Sequence, residues 1–257
     1  MQLDLAKDDR EAFHELIDGL LLGDGAISEG GSLMIGQTAR RVGWLYQIQR
    51  VLKQFGCASK MSSRPAKWVR IKGKKTRVRK SFTLWTPVFH EFKVERARWY
   101  PANRKHVPND VRMTSRSIAH WFAGDGCGTR KGHLFFCTDS FSAREVDDLI
   151  VKLPVEARRI KGACGWHIHV TKYDEAFELA RTIRQRLPRC CLYKLKGVHK
   201  KQPRVRKLKL SATQIRSACV LRLRGWTAAR VAKRFGVARV TMNKYLPGLP
   251  RARHHLI

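Results

Sequence analysis

Acidic residues are scarce in this sequence. Against 53 Lys and Arg stand 20 Asp and Glu, a formal net charge of +33 over 257 residues. Residues 58–80 hold ten bases and no acid, and residues 201–257 hold fifteen bases and no acid. The excess is therefore segmental, since the rest of the chain has 28 bases against 20 acids. A charge of this size calls for a polyanionic partner, with nucleic acid first and acidic membrane second. Long apolar runs are missing too. None approaches the roughly 18 residues of a membrane span, so no membrane association is expected. Six acids and two bases in the first 18 residues fit neither a signal nor a transit peptide. C-x-x-C pairs are absent; seven cysteines, with Cys190 and Cys191 adjacent, suit free thiols in a reducing intracellular compartment better than a disulfide framework. A zinc site from Cys127, Cys137 and His133 is conceivable, but its spacing matches no familiar finger. Apolar residues make up 43% of the chain, which excludes a wholly disordered basic tail, and the length suits one large or two modest domains.

The first acid-free segment alternates on both sides of a turn at Gly73-Lys74. That pattern predicts a hairpin of residues 68–72 and 75–79. Arg70, Lys72, Arg77 and Arg79 would share its basic face, with Val69, Ile71 and Val78 at alternate positions. A basic two-stranded ribbon is one shape that the DNA major groove admits, and without acids to offset it the hairpin favours a polyanion beside it. Helices are expected over 42–55, 145–153 and 173–187, and strands over 32–38, 134–138 and 165–170. On the last strand His167 and His169 fall on one side. They are expected on a DNA-facing sheet together with Gln37 and Arg40; a metal-binding histidine pair is the alternative.

Two stretches end alike, Leu16-Ile17-Asp18-Gly19-Leu20-Leu21-Leu22-Gly23-Asp24-Gly25 and Ser117-Ile118-Ala119-His120-Trp121-Phe122-Ala123-Gly124-Asp125-Gly126. Each is apolar nearly all round, which predicts a buried helix. Small residues four apart, Gly19 with Gly23 and Ala119 with Ala123, would let two backbones approach. Each helix should stop at glycine and leave an acid, Asp24 or Asp125, at the negative end of its dipole. If the helices pack side by side, both carboxylates meet beside exposed carbonyls, with Gly23 and Gly124 among the oxygen donors. Like charges that close need a cation, and oxygen ligands with room for water suit Mg²⁺ or Mn²⁺. Such a metal can act on a phosphodiester.

With these motifs the chain resembles a LAGLIDADG homing endonuclease of the single-chain, two-repeat kind. Ile17–Gly25 and Ile118–Gly126 match its nine-residue motif, with Leu22 and Ala123 where the family's name spells Asp. Arg104-Lys105-His106-Val107-Pro108 is similar to the family's Lys-x-x-Pro segment before the second motif helix. Residues 134–138 with Ser140-Phe141-Ser142 resemble the strand and helix start after that motif, and Leu192-Tyr193-Lys194-Leu195 the Tyr-Lys-Leu near the end of the second repeat. The resemblance covers about residues 12–198. It implies that Asp24 and Asp125 hold divalent metal and that Lys105 and Lys194 are the basic active-site lysines, one per repeat. A lysine there could stabilise the transition state or orient water; the plain alternative is a solvated surface charge. It also implies an α+β fold in which the motif helices meet at a pseudo-twofold axis and two antiparallel sheets form a saddle on DNA.

Beyond a basic linker at 200–209, Ser211 and Gln214 read as a helix cap, Gly225 as a stop, Thr227 as a second cap and Gly236 as a turn before a helix over 239–246 and Pro247. This spacing resembles the helix-turn-helix of resolvase and invertase-type recombinases, with Arg239, Asn243 and Lys244 offered to the major groove. The expected organisation is a first repeat over 1–100, a second over 101–199, the linker, and a small all-α domain over 210–257. The expected activity is metal-dependent, site-specific cleavage of double-stranded DNA by a monomer. A non-cleaving transcription regulator or an intron maturase on the same fold is the alternative.

Overall fold

The computed structural model describes residues 1–3, 5–71, 73–198 and 210–246. Lys72, the expected linker at 200–209 and Pro247 lie outside the described residues. The chain divides into two units, residues 1–201 and 202–257, and each has its own apolar core.

The first unit uses one pattern twice. Its first pass is α1 (Lys7–Leu22), β1 (Gly25–Ile27), β2 (Leu33–Thr38), α2 (Val42–Gln54), β3 (Lys60–Arg64), β4 (Lys67–Ile71), β5 (Lys74–Val78), β6 (Ser81–Trp85) and α3 (His90–Trp99). The second is α4 (Ser115–Asp125), β7 (Gly126–Gly128), β8 (Leu134–Cys137), α5 (Ala143–Lys152), β9 (Arg158–Lys161), β10 (Trp166–Val170) and α6 (Tyr173–Arg184). Two antiparallel sheets result, in the matching orders β1-β2-β6-β3 and β7-β8-β10-β9. The α+β fold expected from the motifs is the fold observed.

Each sheet has one face on the core. In β2, Leu33, Ile35 and Gln37 are buried while Met34 and Gly36 are exposed, the alternation a half-buried strand requires. In β10, Ile168 and Val170 point inward, so His167 and His169 share the opposite face. α2 covers the first sheet with Trp44, Leu45, Ile48 and Leu52, one helical stripe. α5 starts two residues before the expected 145, because Ser142 caps it: Ser142 accepts from the Glu145 backbone, and Glu145 accepts in return from the Ser142 N–H.

α1 and α4 pack against each other at the centre of the unit, and small residues make the approach possible. A β-carbon on Gly19 would lie 2.3 Å from the Ser117 carbonyl oxygen, and one on Gly124 3.3 Å from the Gly23 α-carbon. The nearest atoms of α4 belong to Ser117 for Gly19 and to Trp121 and Gly124 for Gly23, which directly follows α1.

β4 and β5 form a separate ribbon inserted between β3 and β6, without a counterpart between β9 and β10. The ribbon is present, but its register differs from the expected one. β5 begins at Lys74 and Gly73 takes φ 79°, so Arg70 faces Lys75 and Trp68 faces Arg77. The partner of Arg70 thus moves by two residues along β5, which keeps the same side chains on each face of the ribbon, and Gly73 directly precedes β5, where its positive φ lets the chain reverse. Arg79 lies just beyond β5.

Among its described residues the second unit has three short helices, α7 (Ala212–Leu223), α8 (Ala228–Arg234) and α9 (Arg239–Tyr245), around Leu210, Ala218, Val231, Ala232 and Met242. Ser211 and Gln214 form the capping box read from sequence, Thr227 caps α8, and Gly225 and Gly236 take positive φ in the turns. Arg239, Asn243 and Lys244 are exposed on α9. Among the described residues no helix is long and apolar enough to cross a membrane. All seven cysteines are free. The conceived zinc site does not form: among the described residues no three His, Cys, Asp or Glu side chains gather as metal ligands, and His133 instead packs its ring against His169 and Tyr173.

Candidate active site

The packing of α1 on α4 brings their C-terminal ends together, and with them Asp24 and Asp125. The two acids line one cleft of about 280 Å³ with Gly23, Lys105 and residues 137–141. Burial first, and the Asp24 carboxylate second, push Asp125 up to about 6, while Lys105, Lys194 and Arg41 pull the other way. The pair is thus close enough to repel, as two carboxylates at adjoining helix ends must.

Each helix end has its own lysine. Lys105 donates to the carbonyls of Gly23 at 3.2 Å and Gly25 at 2.9 Å. Lys194 donates to those of Phe122, Ala123 and Gly124 at 3.2, 2.8 and 2.6 Å. Neither is a solvated surface charge. Burial holds Lys105 down to about 8 against the pull of Asp125 and Asp24, and burial followed by Arg41 lowers Lys194. An ammonium group there satisfies carbonyls that the last helical turn leaves unpaired and offsets the negative end of the dipole.

Gln37 and Arg41 complete the surroundings. Gln37 was expected on the DNA-facing side but is buried, because it shares the inner face of β2 with Leu33 and Ile35. Its amide nitrogen donates to Asp24 Oδ2 at 2.5 Å. Strict alternation from Leu33 was the signal that could have placed it. Arg41, which sequence reasoning passed over for Arg40, donates to the carbonyls of Gly124 at 3.1 Å and Ala123 at 3.4 Å and lies 3.9 Å from Asp24 Oδ2. Arg40 is exposed and stacks on Tyr193, with 4.4 Å from its guanidinium carbon to the ring centre.

The donor set fits a hydrated divalent cation. It offers two carboxylates and the Gly23 carbonyl, all oxygen, in a cleft with space for water. Gln37 Oε1 is buried and has no partner among the described residues, an acceptor that a cation's water would satisfy. The Gly124 carbonyl, the other expected oxygen donor, is more heavily engaged than that of Gly23. It already accepts from Lys194 and Arg41, and a carbonyl oxygen has two lone pairs.

The other expected DNA-facing residues do not line this cleft. Arg70 and Arg77 are exposed on the ribbon, where Lys75 Nζ sits 5.4 Å from the centre of the exposed Trp68 ring. His167 and His169 flank Phe135 on the open face of the second sheet, and His167 Nδ1 lies 3.5 Å from Asp139. Sequence reasoning also missed Asp18, which is fully buried inside the first motif. It accepts from Arg98 at 2.5 Å, Trp99 at 3.2 Å and the Arg112 backbone at 2.9 Å, tying α1 to α3 and to the segment before α4.

The sequence matches the LAGLIDADG DNA endonuclease family over residues 14–157. Over 126 residues it is 33% identical to the uncharacterized protein MJ1098 of Methanocaldococcus jannaschii, covering 47% of this chain and 46% of that one. Over 149 residues it is 26% identical to the cytochrome b mRNA maturase bI2 of Debaryomyces hansenii, covering 55% of each. The chain thus spans about half the length of the curated relatives it matches. Among solved structures, the homing endonuclease I-WcaI bound to its DNA recognition sequence aligns with a TM-score of 0.59 at 19% identity, over 74% of this chain and 91% of that one, a likeness of fold.

Proposed function

The chain belongs to the LAGLIDADG DNA endonuclease family, and from that membership we propose that it is a metal-dependent, site-specific endonuclease that cuts both strands of DNA as a monomer. The observation that carries this reading is the meeting of Asp24 and Asp125 in one cleft, each at a helix end capped by its own lysine. Two repeats in one chain supply both halves of the site, so no second copy is needed.

Asp24, Asp125 and the Gly23 carbonyl would hold the metal. A bound Mg²⁺ or Mn²⁺ supplies Lewis acidity at the scissile phosphate and lowers the pKa of nearby water. Lys105 and Lys194 hold fixed positive charge beside the carboxylates, which favours the extra negative charge of a phosphoryl transition state. In each strand a water oxygen bonds to phosphorus, the bond to a sugar oxygen breaks, and that oxygen takes a proton. The open faces of the two sheets and the β4–β5 ribbon would meet the duplex, with Arg70, Arg77, Arg79, Arg40, His167 and His169 toward it. The second unit would act as a helix-turn-helix that lengthens the footprint through Arg239, Asn243 and Lys244.

The test is incubation with Mg²⁺ of a plasmid carrying the uninterrupted sequence at the gene's own insertion point. A linear product is expected; specific binding without a cut on either strand, in Mg²⁺ or Mn²⁺, contradicts the reading. The Debaryomyces hansenii relative is a maturase, which supports a second reading, assistance to intron splicing, for the case in which no cut is seen.

A further inference from the structure

The register of the two sheets aligns the repeats residue by residue. Gly25 pairs with Ile35 in the first and Gly126 with Phe136 in the second. Both Gly25 and Gly126 directly follow the acids, so Asp24 corresponds to Asp125, Gln37 to Thr138, Thr38 to Asp139, Arg40 to Phe141 and Arg41 to Ser142. These positions do different work in the two halves. In the first half Gln37 donates to its acid, and Arg41, which donates to the Ala123 and Gly124 carbonyls at the end of α4, also keeps its charge 3.9 Å from the same carboxylate oxygen. In the second, the Thr138 hydroxyl turns to the Trp166 carbonyl and Ser142 caps α5, so both side chains are spent on backbone. The second half also exposes Asp139, a carboxylate that lines the cleft, where the first half has Thr38. Over equivalent positions the first half therefore sets Gln37 and the charge of Arg41 beside its acid, while the second adds a carboxylate to the cleft.

A phosphodiester gathers negative charge on its way to hydrolysis. A guanidinium beside it lowers the barrier, and a carboxylate beside it raises it. We propose that the two halves are unequal, and that the strand whose scissile phosphate lies against Gln37 and Arg41 is cut first, leaving a nicked intermediate of fixed polarity. The proposal rests on the endonuclease reading above and adds an order to it. Arg41 and Gln37 act as positioning residues, holding Asp24 and the charge beside it.

The test is a single-turnover cut of a duplex carrying the uninterrupted insertion-point sequence, with a different dye on the 5′ end of each strand, read on a denaturing gel with Mg²⁺. One strand should be cut at least about tenfold faster, the scale of one charge-assisted hydrogen bond. Arg41→Met should slow the favoured strand and remove most of the bias, and Arg41→Lys should restore part of it. General loss of structure would slow both strands alike and leave the ratio unchanged. Equal rates on the two strands of the unaltered protein, or a bias that survives Arg41→Met, overturn the inference and leave the endonuclease reading intact. No cut on either strand overturns both.

Discussion

Gly19 of α1 faces the backbone of Ser117 in α4 so closely that a β-carbon added to Gly19 would sit 2.3 Å from the Ser117 carbonyl oxygen. No real contact is that short, and the atom in the way is backbone, so the helices would have to separate. Gly19→Ala should therefore cost at least the ~1–3 kcal/mol of an overpacked core, measured as a lower urea midpoint. Because the same helices present Asp24 and Asp125, cleavage should fall with it. Gly36→Ala is the control: nothing lies within 4 Å of its added carbon, and stability should stay within about 0.5 kcal/mol.

His120 gives the fold an acid sensitivity. It is buried on α4, accepts from Trp44 Nε1 at 3.3 Å, and is lowered to about 4 by burial first and then by Arg116 and Arg186. An unfolded histidine titrates near 6.5, so below that pH the unfolded chain takes up a proton that the folded one refuses. The stability from this group is complete above pH 6.5 and is lost as pH falls toward 4. His120→Gln keeps an acceptor for Trp44 without the titration. The gap in unfolding free energy between the two proteins should narrow by about 2 kcal/mol between pH 7 and 5. A constant gap over that range contradicts this account.

The ribbon should contribute affinity without contributing to the core. Arg70, Lys75 and Arg77 are all exposed. Changing the three together to Ala should reduce the slope of log affinity against log salt by about 0.9 for each phosphate that is no longer neutralised, roughly 2–3 in all. Thermal stability should not move. An unchanged slope in a binding titration would remove the ribbon from the interface.

The sequence made some of this legible and hid the rest, for reasons that can be traced to particular residues. Local rules served well where the partner is near in sequence, as at Ser211 with Gln214, and at the glycine stops after the motif helices. Repetition served as well, since two copies of one motif announced two helices with an acid at each end. What stayed hidden depends on pairing over long distances. Asp18 lies 80 residues from Arg98, and nothing in the first motif distinguishes a buried, fully bonded carboxylate from an exposed one. Lys105 and Lys194 read as bases, but only the packed structure shows carbonyls around their amino groups. Gln37 was misplaced although its alternation with Leu33 and Ile35 was visible, because a polar residue on an inner face needs a partner, and that partner is Asp24. The ribbon's register stayed hidden because a shift of two residues leaves the alternation of faces unchanged.

The central claim is that Asp24 and Asp125 do the chemistry while other residues hold the DNA. Its most direct test is a paired measurement on Asp24→Asn and Asp125→Asn, each made alone, of target binding in Ca²⁺ and of target cleavage in Mg²⁺. Asn keeps the shape and one oxygen but loses the charge that holds a hard cation against water. Each variant should bind its site within a few-fold of the unaltered protein, or more tightly as repulsion falls, and neither should produce a double-strand break. If both variants still linearise the target at the original rate, the two-carboxylate account is wrong.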